Sequence, residues 1–144
     1  MSLYLYEISD IQALRAEAMQ AGLSIPGSFM DASDELLQRC YNGIGPDRWS
    51  SCFRRLTTYL LDFFEADALI HDYEYSLPEK NYWRFTLANI RFIGNAAMLA
   101  FVRYGDSGKA IRITLLGSLL GLLCQLFGYG GYKEGSITSK EKKK

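Results

Sequence analysis

The chain has 144 residues, of which 49% are hydrophobic, 14% aromatic and 22% charged; this is enough for one domain with its own core and short for two. That mix excludes a disordered chain, a collagen-like repeat and a disulfide scaffold. Sixteen basic residues balance sixteen acidic ones, but Lys133, Lys140, Lys142, Lys143 and Lys144 gather in the tail beside only Glu134 and Glu141, so the body is mildly acidic. It lacks the basic stripe of a nucleic-acid groove, and no nucleic-acid partner is expected. Cys40, Cys52 and Cys124 are odd in number, widely spaced and free of any C-x-x-C pattern, and they read as buried thiols. Residues 1–7 carry no basic n-region and no sustained apolar run, so no secretory signal is expected and a reducing, cytoplasmic setting at synthesis follows.

In chain order, Ser9 and Gln12 have capping-box spacing and Ile11, Leu14 and Ala18 recur at helical intervals, predicting a first helix over about 10–21 that Gly22 stops. Residues 22–34 are broken by Gly22, Pro26 and Gly27, after which Leu36, Leu37 and Cys40 suggest a brief helical turn. Asn42-Gly43-Ile44-Gly45-Pro46 is a loop. Phe53, Leu56, Leu60, Leu61 and Phe64 then trace one helical face, predicting a long helix over about 51–75. Ser76 and Glu79 repeat the capping pattern around Pro78, and Phe85, Phe92, Ala96 and Leu99 share a face, predicting a second long helix over about 79–104, antiparallel to the first.

A leucine-rich helix follows to about Gly128. Its stretch 113–132 has no charge and the length of a membrane span, with Gly117 and Gly121 as a small-xxx-small pair. A buried bundle helix explains the same leucines, so both readings stay open. Gly128 to Tyr132 reads as a flexible end, and residues 133–144 as a Lys-rich disordered tail that favours anionic lipid. Period-two alternation is absent, so the class is all-α: a small helical domain over 1–132.

Chemistry concentrates in Asp67-Ala-Leu-Ile-His71-Asp72-Tyr73-Glu74-Tyr75. His71 is the only histidine, with Tyr75 one turn ahead of it and Asp67 one turn behind. On the next helix Asn89 falls within the apolar face of Phe85, Phe92 and Ala96, where a buried amide requires a partner and His71 is a natural one. Carbonyls of the glycine loop at 42–45, joined by the Asp72 carboxylate, form the all-oxygen set that calcium prefers.

His71-Asp72-Tyr73-Glu74-Tyr75 resembles the His-Asp-x-x-Tyr signature of the phospholipase A2 superfamily, and the order of glycine loop, His-Asp helix and second helix is most similar to the domains of parvovirus capsids and related phage-like proteins. The resemblance covers about residues 40–96. It implies calcium-dependent hydrolysis of a phospholipid or related acyl ester, with His71 as general base, Tyr75 supporting it, and Asn89 standing where the family has an aspartate that orients the histidine. It also implies a calcium site of Asp72 with Asn42, Gly43 and Gly45, a phospholipid or membrane surface as partner, and a virion- or membrane-associated location after synthesis. The alternative it allows is a catalytically degenerate relative, a structural or membrane-associated protein of phage or mobile-element type.

Overall fold

A computed structural model of the chain describes residues 6–41 and 51–134, and for 51–61 and 134 the backbone alone. Every regular element among the described residues is helical, as expected: α1 (Ile8–Gln20), α2 (Gly27–Asp31), α3 (Asp34–Cys40), α4 (Ser51–Ser76), α5 (Tyr82–Tyr104), α6 (Gly108–Phe127) and α7 (Tyr129–Glu134). The two expected long helices are α4 and α5, and they pack against each other.

Helix α1 starts earlier than its sequence signal because the expected Ser9–Gln12 box is not used. The Asp10 carboxylate instead accepts from the Glu7 N–H at 2.8 Å, satisfying a free donor at the positive end of the helix dipole. At the other end Gly22 has φ +67°, a conformation that suits glycine and lets the chain reverse. The two short helices that follow are tied down from α1. Arg15 donates to Ala32 O at 2.9 Å, Phe29 O at 3.2 Å and Asp34 Oδ1 at 3.0 Å, so its guanidinium bonds carbonyls at the end of α2, which is too short to stabilise itself. Ser33 caps α3, accepting from Leu36 N at 3.2 Å. The main core lies where these elements meet α4: Ile11, Ala18, Phe29 and Leu37 pack against Phe64, Leu69 and Ile70, and Leu99 of α5 closes it.

Three terminal details correct the sequence reading. Ser76 is the last residue of α4 rather than the cap of α5, and its hydroxyl donates to Tyr73 O and accepts from Cys40 Sγ. Asn81 caps α5 instead, accepting from Arg84 N at 2.9 Å, because an N-cap acts on donors two or three residues ahead and Glu79 lies outside the helix. The expected flexible end at 128–132 is ordered into α7. Tyr132 is 1% exposed, sits among Tyr75, Phe85 and Tyr129, and donates its hydroxyl to Glu79 O at 3.2 Å.

Helices α5 and α6 form an antiparallel hairpin turned at Gly105, φ +60°, and α6 is capped by Ser107. Their contact is close because it runs over glycine. A Cβ on Gly117 would lie 2.5 Å from Ala96 Cβ, and one on Gly121 2.4 Å from Ile93 Cγ1. The small-xxx-small pair is thus spent on α5.

Candidate active site

Helix α4 brings His71 and Tyr75, four residues apart, to one flank, and α5 presents Asn89 opposite them. Nε2 of His71 lies 2.9 Å from Asn89 Oδ1, and the Tyr75 hydroxyl donates to the same oxygen at 2.8 Å. Asn89 is 2% exposed and His71 8%. An amide oxygen only accepts, so Nε2 carries a hydrogen, and in the neutral ring Nδ1 is the nitrogen with the lone pair. The ring is further fixed between Tyr75, 4.1 Å between centroids, and the edge of Phe92, 5.3 Å. Burial pushes the Tyr75 phenol well above its ordinary range, so it stays a donor. The pairing of His71, Tyr75 and Asn89 that the sequence suggested is therefore present.

What the sequence reading missed is the other half of the amide. Asn89 Nδ2 donates to Gln125 Oε1 at 2.7 Å, and Gln125 Nε2 in turn reaches Tyr82 Oη and Thr86 Oγ1, both at 3.1 Å. This relay fixes which end of the Asn89 amide faces the imidazole and so sets the tautomer. Gln125 reaches it because it lies on the same face as Gly117 and Gly121, at successive four-residue steps, where α6 is drawn against α5. The signal was legible as the one polar side chain continuing a glycine row.

The remaining carboxylates divide. Asp72 is partly exposed, with Oδ1 4.0 Å from His71 Nδ1, on the side of the ring nitrogen left free. Glu74 is paired with Arg91; burial still pushes its carboxyl up, opposed by that guanidinium. Asp67 is 1% exposed, neither oxygen has a hydrogen-bond partner of good geometry, and burial pushes its carboxyl well up, with the nearby Asn95 amide opposing the shift. It is a neutral core group rather than a partner of His71.

Of the calcium set suggested by the sequence, Asn42, Gly43 and Gly45 lie outside the described residues. Asp72 lies beside His71, and no group of three His, Cys, Asp or Glu gathers among the described residues. A calcium ion here would depend on backbone oxygen for most of its shell.

Compared with protein families, with curated proteins and with solved structures, the chain matches none.

Proposed function

We propose that the protein hydrolyses an acyl ester of a phospholipid or related lipid, in the manner of the phospholipases A2 its signature resembles, with His71 as general base. The observation that carries this reading is the junction at Asn89 Oδ1, where Nε2 of His71 and the Tyr75 hydroxyl both donate, so that in the neutral ring Nδ1 beside Asp72 is the basic nitrogen. In this reading Nδ1 removes a proton from water as the water oxygen attacks the ester carbonyl carbon. The same proton returns to the leaving alkoxide as the C–O bond breaks, giving a free fatty acid and an alcohol. Asn89 Oδ1 holds the Nε2–H of the imidazolium formed in between, and does so less strongly than a carboxylate, which makes turnover slow. Asp72 and the oxygens of Asn42, Gly43 and Gly45 would hold calcium, which would polarise the ester carbonyl and stabilise the oxyanion.

A second reading follows from the amide at 89, which replaces the charge that would stabilise imidazolium: a catalytically silent relative of phage or mobile-element type, structural or membrane-associated. Release of fatty acid from phosphatidylcholine–phosphatidylglycerol mixed micelles, with calcium and with a chelator, separates the two. The hydrolase reading expects a calcium-dependent rate that drops by about 10²–10⁴ in His71→Ala. Equal rates in the two proteins remove that reading and leave the silent relative.

A further inference from the structure

The flank of the α5–α6 hairpin turned away from α4 is apolar and, among the described residues, unpartnered. Helices α5 and α6 meet along Asn89, Ile93 and Ala96 on one side and Gly117, Gly121 and Gln125 on the other. Each residue lies 100° around the helix from the one before it, so in an antiparallel pair the residues one step beyond both rows turn to the same side. On α5 that side shows Leu87, Ile90, Met98 and Phe101, all exposed. On α6 it shows Ile111, Leu115, Leu119, Leu122 and Leu126, at steps of four and three, all at least half exposed. The two stripes meet in a groove of about 350 Å³ floored by Ala97 and Ala110, with Phe101, Ile111 and Leu115 on its walls. Helix α4 approaches from the other side, with Phe64 against Gly117 and Phe92.

Charge narrows the occupant. Neither α5 nor α6 contains an Asp or Glu and the turn between them adds one acid, Asp106, at the end of the groove, while together the two helices carry Arg84, Arg91, Arg103, Lys109 and Arg112. Three of these are matched from other elements, Arg84 by Glu79, Arg91 by Glu74 and Arg103 by Glu17. Lys109 and Arg112 remain exposed at the turn of the hairpin and Lys133 just beyond α6, and the sequence continues with Lys140, Lys142, Lys143 and Lys144 against Glu141. A second copy docking here would set like charges against each other. An anionic lipid surface takes both the aliphatic stripe and the flanking cations.

We propose that this flank lies on an anionic bilayer, the leucine stripes at the boundary of headgroup and acyl chain and Lys109, Arg112 and Lys133 at the phosphates. Both helices are long and apolar enough to cross a membrane, but crossing would strip α4 from α5 and leave Asn95 without Ser24, Arg91 without Glu74 and Asn89 with Gln125 alone in hydrocarbon. The hairpin therefore lies on the surface, and His71 is on its far side. Binding is a property of the fold independent of the hydrolase reading.

The test is co-sedimentation of the full-length protein with vesicles of phosphatidylcholine alone and of phosphatidylcholine with about 30% phosphatidylglycerol, for the wild type, Leu115→Glu/Leu119→Glu and Lys109→Gln/Arg112→Gln. The expected result is binding to the anionic vesicles, weakened about tenfold or more by the glutamates and severalfold by the glutamines, and reduced by salt. The glutamates replace exposed side chains, and an unchanged helical spectrum and melting temperature checks that the fold is kept. His71→Ala binds as the wild type does, which separates this result from any outcome on hydrolysis. Failure to bind anionic vesicles, binding unchanged by the glutamates, or a dimer that the glutamates dissociate overturns the proposal.

Discussion

The two sides of α5 are both largely apolar, and the polar groups that bond within the fold sit on the buried one. Toward α4 and the rest of the core it buries two amides: Asn89 between His71, Tyr75 and Gln125, and Asn95 with Oδ1 on Ser24 N at 2.7 Å and Nδ2 on Ser24 O at 2.9 Å. Away from them it exposes Ile90, Phe101 and Val102. A buried amide with both ends bonded costs little and fixes one arrangement, whereas with one partner removed the full desolvation penalty returns. Exposed aliphatic side chains cost little one at a time, and only their alignment into a continuous stripe points to a partner. On the buried side of α5 the hydrogen bonds of two amides add to apolar packing, whereas the outer flank shows aliphatic shape alone.

The largest effect is expected from breaking the inner side. Asn89→Leu leaves Nε2–H of His71, the Tyr75 hydroxyl and Gln125 Oε1 without partners, and should lower stability by roughly 2–4 kcal/mol in urea denaturation. Ile90→Gln, one residue along on the outer flank, should stay within about 0.5 kcal/mol of the wild type. If the two variants cost the same, the contrast between the sides is lost.

A smaller loss, about 1–3 kcal/mol, is expected for Gly121→Ala, because the added methyl meets Ile93 Cγ1 at 2.4 Å and must push α6 outward. The same shift should loosen the bond from Gln125 to Asn89. Since His71 is the only histidine, the ¹⁵N shifts of its two ring nitrogens report on this directly: the wild type should be the Nε2–H tautomer, and Gly121→Ala should move toward a mixture.

The last effect concerns Asp67, and its sign is a gain. Burial raises its folded-state pKa well above the ordinary 3.8, so the folded protein holds that proton more tightly than the unfolded chain. The linked stability is fully present below about pH 3.8 and is lost as pH rises through the folded value. Asp67→Asn, neutral throughout, should therefore be more stable than the wild type at pH 7, with the difference shrinking as the pH falls toward the ordinary aspartate range. Melting temperatures measured across that range check it, and an unchanging difference would falsify the assignment of Asp67 as a neutral core group.

Much of this was legible in the chain itself. Apolar spacing placed α4 and α5 to within a few residues, Gly22 marked the end of α1, and Asn89 on the apolar face of α5 predicted its pairing with His71. The caps were misplaced because Ser9, Ser76 and Glu79 fit a local pattern that Glu7–Asp10 and Asn81 fulfil instead. Helix α7 was missed because glycines outnumber its apolar residues locally, and its order comes from Tyr132 entering an aromatic cluster supplied by α4 and α5. Gln125 was missed because its partner lies 36 residues away.

The sequence by itself determined an all-helical chain and the chemistry gathered on α4, because helical periodicity and side-chain type are local properties that survive without any knowledge of what packs where. Only the tertiary structure decided that Gly117 and Gly121 face α5 instead of a second membrane helix, that Gln125 orients Asn89, and that the leucines of α6 split between a partly buried set and an exposed stripe. Those outcomes depend on how close two helices come and on how each is rotated about its axis, and neither quantity is written in the order of residues along one of them.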